Sequence, residues 1–378
     1  MLKFRHRFFR CAVFATVALW CAAATACNVP VFRYALERWE VDVFDVLVFQ
    51  REPLNPDQQA LVTRMEQAGL DGLANLSVHN VSLADGMSPS LRALWNEQEK
   101  PELPWMVVRY PRPASIETSA WSGPLNEPTV DALLDSPVRR NIVQMLLSGE
   151  AVVWVLLESG DKRRDDEAAQ LVETELRKLE RTLMLPEPSP LDPPINPDLP
   201  LKIAFSTVRV SRSDPAERAL VNLLLNANPN LPSTPEVMLF PVFGRGRVLP
   251  PAVGKDIRAA AIQEMATFLV GPCSCEIKDQ NPGHDLLMTA NWSSMAGYQE
   301  VMLPDLPLVG LSQFVAPATN MPAPVAKSPN VSVVASASPG VPVRGNLVRN
   351  VAVVFGIGVL FLAATTFLLR ARANRRSR

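Results

Sequence analysis

Cysteine and histidine are scarce in this chain of 378 residues, which has five of the first and three of the second. Cys11 and Cys21 fall in an N-terminal leader, so the body keeps Cys27, Cys273 and Cys275. Three thiols in a body this long exclude a disulfide scaffold, and the fold must rest on its apolar core. Paired C-x-x-C knuckles at zinc spacing are missing, which removes the common structural zinc modules. With only His79 and His284 beyond the leader, a Ser-His-Asp triad has few ways to form. Positive charge is short as well. Of the 37 Lys and Arg, four leave with the leader and five lie in a C-terminal tail, so about 28 face 38 acidic side chains. An acidic body offers nothing to offset phosphate repulsion, and nucleic acid is excluded as a partner. Gly244-Arg245-Gly246 lacks the spacing and helix context of a phosphate-binding loop and reads as a hairpin turn.

Against these absences stand two apolar runs. Val351 to Leu369 are nineteen uncharged, mostly apolar residues, spanning about 28 Å as a helix, close to the hydrocarbon thickness of a bilayer. Arg370, Arg372, Arg375, Arg376 and Arg378 follow directly, which by the positive-inside bias puts the C-terminus in the cytoplasm. At the other end, Lys3, Arg5, Arg7 and Arg10 precede the apolar residues 11–26, which close on Ala24-Thr25-Ala26. This is the pattern of a cleaved signal peptide, with the cut before Cys27. Small residues before a cysteine also satisfy a loose lipobox, so Cys27 is a candidate for acylation. The expected layout is signal peptide 1–26, two domains at 27–149 and 150–315, a Pro/Ala-rich stalk at 316–347, a single span at 348–370 and a cytoplasmic tail at 371–378. The body is then periplasmic or extracellular.

Seven prolines punctuate residues 186–200, which no helix or central strand could hold. Between the landmarks, helices and strands alternate. Helices are expected at 31–39, 55–69 with Asn55 as cap, 129–148, 165–184, 215–226 and 256–269. Strands are expected at 43–49, 75–83, 105–110, 151–158, 201–210 and 236–243, the last turning into 247–249. The order of elements repeats, with Pro101-Glu102 and Pro235-Glu236 opening equivalent strands. The class is α/β with mixed sheets.

Strand, helix, strand, helix, strand, hairpin, helix resembles the thioredoxin-like fold, once over 151–270 and less regularly over 27–149. That family carries Trp-Cys-x-x-Cys after its first long strand, at a helix N-terminus that depresses the thiol pKa. Here the matching stretch is Glu158-Ser159-Gly160-Asp161, without cysteine. The resemblance therefore implies a degenerate copy without dithiol activity. Pro104 or Pro235 matches the proline that faces that motif in the family, and Cys27-Asn28-Val29-Pro30 resembles a one-cysteine remnant of it.

The remaining chemistry centres on Cys273-Ser274-Cys275, with His284 nine residues on in a turn, a candidate thiol or soft-metal site. A structural disulfide, within the pair or to Cys27, and inert thiols are the other readings. His79 reads as a satisfied strand residue, Asp161 to Glu167 as a solvated helix start, and Trp105, Trp121 and Trp154 as core; Trp292 is the better surface contact. No cofactor or resident metal is called for. The expected function is a membrane-anchored, non-catalytic binding or assembly module with a protein partner in the membrane or envelope. The class-different alternative is a membrane-tethered thiol oxidoreductase or Cu(I) carrier using Cys273 and Cys275.

Overall fold

A strand buried on both faces reads as a continuous apolar run, and two such runs organise this body. In the computed structural model, which describes residues 27–292 apart from 85, 100, 191 and 274–276, they are β1 (Phe44–Gln50) and β5 (Val152–Glu158). The expected signal peptide, stalk, span and tail lie outside the described residues. Among the described residues, no helix is long and apolar enough to cross a membrane.

The chain is a mixed α/β protein with two mixed sheets. In the first, β1 pairs in parallel with β2 (Leu76–Ser82) and antiparallel with β3 (Trp105–Arg109), which pairs antiparallel with β4 (Ser119–Pro124). The order is β2-β1-β3-β4. The second sheet repeats it. There β5 lies parallel to β6 (Phe205–Ser211) and antiparallel to β7 (Met238–Phe243). Beyond β7 come β8 (Arg247–Val248) and β10 (His284–Asp285), while β9 (Ala252–Val253) also pairs with β7.

Helices follow the capping chemistry of the sequence. Helix α1 (Val31–Arg38) precedes β1, and α2 (Pro56–Leu70) opens on a capping box between Asn55 and Gln58. Ser88 and Pro89 start α3 (Pro89–Asn96), an element not expected from the sequence, which has no fully buried residue. The single helix expected at 129–148 is two, α4 (Glu127–Leu134) and α5 (Pro137–Leu147). Ser136 caps the second and Pro137 fills its first position, so the chain breaks there. Helices α6 (Lys162–Thr182), α7 (Arg218–Leu225) and α8 (Ala259–Val270) complete the second half.

One buried core joins a face of each sheet. It takes Phe44, Val46 and Val48 from β1, Val153, Val155 and Leu157 from β5, and apolar faces of α2, α4, α5 and α7. A second core lies on the other face of the second sheet, where Trp154 and Leu156 meet α1, α6 and α8. The other face of the first sheet is only partly covered, by Leu91, Leu94 and Trp95 of α3.

Both ends of the described stretch cross over. Residues 27–39 pack on the second sheet's outer face, with Val31 N donating to Gly271 O and Cys273 N to Val29 O. Arg245, in the β7–β8 turn, donates to the carbonyls of Leu36 and Glu37 at the end of α1. The proline-rich segment 186–200 also grips α1: Arg33 donates to the Asn196 and Leu199 carbonyls, Arg38 to that of Pro194, and Glu37 accepts from Asn196 N. In the opposite direction, residues 284–292 return to the first sheet, where Asn75 bonds both Leu286 O and Met288 N. All described residues fall within one compact unit.

Candidate functional site

The turn from β5 into α6 is where a strand end, a helix N-terminus and several charged side chains meet. Asp161 caps the helix, accepting from Arg163 N and Arg164 N at 3.1 and 3.2 Å. The Arg164 bonds hold its carboxyl below the usual carboxylate range. Four residues on, the buried Asp165 turns back and accepts from Ser159 N and Ser159 Oγ at 2.8 Å and from Gly160 N at 3.0 Å. A carboxylate of the chain itself therefore takes up the amides that an anionic ligand would seek at such a turn.

Basic side chains close the rim. Arg209 Nε lies 2.7 Å from Glu158 Oε1, and its Nη1 lies 2.8 Å from Asp166 Oδ1. Bonds from Lys162 and then Arg209 lower the Asp166 pKa. Arg164 bridges Asp161 to Glu236 at 3.0 and 3.3 Å. Arg212 donates to the carbonyls of Glu158 and Glu236; burial lowers its pKa, against the pull of Asp165. Sequence reasoning missed Asp165, Arg209, Arg212 and Glu236 because they meet only through the fold. The one available signal was the spacing of Asp161 and Asp165, which the mixed-charge run disguised.

In the first half, the equivalent turn from β1 into α2 is residues 51–55, which contain neither cysteine nor histidine. Cys27-Asn28-Val29-Pro30 does not occupy such a turn; it precedes α1 on the outer face of the second sheet. Asn28 N donates to Asp192 Oδ1 and its side chain to Glu187 O, so the segment is pinned from both sides. Cys27 is 7 % exposed and Cys273 1 %, both in the core against α1, α6 and α8. Cys275 lies outside the described residues. Acylation of Cys27 would require unpacking this corner. The Leu103–Pro104 peptide, at the head of β3, is cis.

His284 is placed elsewhere. Its ring stands edge-on to Tyr110 of the central core, centroids 5.5 Å apart, and its Nε2 is buried without a hydrogen-bond partner. Burial pushes its pKa down to about 4; the Arg247 charge adds to this and the Leu223 carbonyl opposes it. The Tyr110 phenol donates to the same carbonyl at 2.7 Å, and burial raises its pKa. Cys273 thus packs in the second sheet's outer core, whereas the half-buried His284 stands against Tyr110 of the central core. Among the described residues, no three His, Cys, Asp or Glu side chains gather as a metal-ligand set.

His79 sits exposed on β2, with Asp45 Oδ1 at 3.3 Å and Ser77 Oγ at 3.4 Å. Both contacts fall on Nε2. A catalytic relay needs the acid on one ring nitrogen and the nucleophile on the other, so this is not a triad. Trp121 and Trp154 are core, as expected, and Trp105 is half-buried. Trp292, expected at the surface, is buried as well, because the returning segment is held by the bond from Ala290 N to Leu73 O.

The chain matches no protein-family model, no curated protein and no solved structure. Its function therefore has to be argued from the site.

Proposed function

We propose that the chain is a membrane-anchored, exported binding or assembly module with two degenerate, non-catalytic thioredoxin-like domains. The strand orders β2-β1-β3-β4 and β6-β5-β7-β8, each with only its third strand reversed, support the fold reading. The apolar run 351–369 and the arginines after it support a single span with the body exported and the tail in the cytoplasm. A protein in the membrane or envelope is the partner.

One observation carries the non-catalytic reading: the β5–α6 turn is filled from within. Its backbone amides bond Asp165 and Asp161, and its rim is closed by Arg164 and Arg209. A nucleophile or electron-transferring thiol at this turn would need an exposed side chain beside unclaimed amides. Here the amides of Ser159, Gly160, Asp161, Arg163 and Arg164 each donate to a side-chain oxygen of the turn itself. The neighbouring chemistry agrees, since Cys273 is inside a core and distant in kind from the His284 environment.

Crosslinking in native membranes followed by mass spectrometry tests this reading. The same envelope protein is expected to be captured by the wild-type chain and by the Cys273→Ser/Cys275→Ser double variant. Thiol–disulfide exchange or Cu(I) uptake that disappears in the double variant would instead establish the oxidoreductase or carrier alternative.

A further inference from the structure

A strand at the margin of a sheet carries a row of backbone donors and acceptors that water or another chain must satisfy. The margins here are β2 and β4 in the first sheet and β6 and β10 in the second. All but β2 are short or closed from within. Along β4, the Asn226 side chain donates to the Ala120 carbonyl. On β6, Phe205 N donates to Glu180 Oε1 at 2.7 Å, and Arg209 sets a charge beside the strand, pairing with Glu158 and Asp166. Strand β10 has only two residues.

Strand β2 is different. Phe44 N donates to Asn75 O and Leu83 N to Gln50 O, so the odd-numbered residues of 75–83 turn their backbone groups to β1. Val78 and Asn80 turn theirs to the free side, by the alternation of an extended strand. Among the described residues, nothing bonds those outward groups. The strand, Leu76-Ser77-Val78-His79-Asn80-Val81-Ser82, holds no Pro, Lys, Arg, Asp or Glu, and its register on β1 runs without a bulge. The devices that keep an edge from pairing are therefore missing from it. His79 and Asn80 stand exposed.

A second copy of the same strand fits this edge. Set antiparallel about a two-fold axis at His79, it brings Val78 opposite the second copy's Asn80, and Asn80 opposite its Val78. These are the outward-facing residues, so each pair exchanges two hydrogen bonds. The two His79 residues then form a non-hydrogen-bonded pair, with Cα atoms about 4.5 Å apart. Their rings do not compete for the axis, because each leans back toward its own Asp45, with Nε2 3.3 Å from Oδ1. A basic partner, the natural complement of an acidic body, would seek acidic side chains along the edge, and β2 has none. The two-fold contact also uses up the edge of both copies, so pairing stops at two.

We propose that β2 is a homodimerisation edge: two copies pair antiparallel through residues 76–82, centred on His79, and join their first sheets into one. This inference does not depend on the binding-module reading, and either can fail alone.

His79→Cys, in the full chain in its membrane, tests it. Across the axis the two thiols come within the Cα range of a disulfide. Oxidation with diamide, which takes up the two thiol hydrogens as the S–S bond forms, should give a dimer whose linked peptides join position 79 to position 79. Met184→Cys, exposed but off the edge, should give none. No dimer, or a bond from position 79 to another protein, would overturn the proposal. A second variant needs no cysteine. Asn80→Lys, at an exposed position, sets an ammonium group of each copy beside the axis. Sedimentation of the full chain in detergent should show a dimer for the wild type, with a dissociation constant raised about tenfold or more by Asn80→Lys. A monomeric wild type, or a dimer equally tight in Asn80→Lys, would refute the edge pairing.

Discussion

A buried imidazole that stays neutral makes stability depend on pH, and His284 is the clearest case in this body. Its folded pKa lies near 4, against 6.5 for the ordinary group. Between these values the unfolded chain binds the proton and the folded chain does not, so stability rises with pH across that window. It is fully present above pH 6.5 and is lost as the pH falls toward 4. The shift corresponds to about 3 kcal/mol at most. Urea midpoints measured from pH 4 to 7 should rise accordingly, and His284→Phe should flatten the rise; an unchanged slope would remove His284 as its source. Asp165→Asn should cost about 1–3 kcal/mol, because Ser159 and Gly160 lose a charged acceptor. Neither residue's role was legible in the sequence. The partners of His284, Tyr110 and Leu223, stand 174 and 61 positions away, and those of Asp165 depend on how β5 meets α6. At Cys27 burial makes a third prediction: the mature N-terminal peptide should have the mass of an unmodified cysteine residue, and a diacylglyceryl adduct would contradict it.

At the scale of elements, α1 shows how distant segments fix a short helix. An isolated eight-residue helix is marginal in water, so its partners hold it. Gly244 adopts a positive φ of 58°, and a Cβ there would fall 2.6 Å from Ala35 Cβ. Gly244→Ala should therefore lift α1 from the β7–β8 turn, cost about 1–3 kcal/mol, and speed maleimide labelling of Cys27 and Cys273. Labelling as slow as in wild type would show that the turn does not hold α1. The elements best read from the sequence were those whose signal is local: β5, apolar at six consecutive positions, and α2, announced by Asn55. Those missed had weak local signals. Strand β4 contains Gly and Pro and is held by its register on β3 and by Asn226, which bonds the Ala120 carbonyl. Helix α3 has no fully buried face, and β10 has two residues. The prolines of 186–200 mark a break in regular structure, as expected, but the bonds from Arg33 and Arg38 that fix the segment onto α1 have no local signature.

At the scale of the whole described body, the two sheets share one core, and segments 27–39 and 284–292 are each fastened to the opposite sheet. Such an arrangement should unfold as a single unit. Amides of β1 and β5 should lose exchange protection at the same urea concentration, and two separated transitions would show independent domains. The repeated order of elements was legible because each copy carries its own periodicity. The exchange of segments 27–39 and 284–292 between the sheets was not, since nothing local marks which sheet a segment will cover. The proposed placement is an exported body tethered by a span whose tail lies in the cytoplasm. Labelling of spheroplasts with a membrane-impermeant maleimide tests it most directly, using Met184→Cys, at a position 85 % exposed on the body, and Arg378→Cys in the tail. The first should be labelled in intact spheroplasts and the second only after lysis; labelling in the reverse order would contradict this placement.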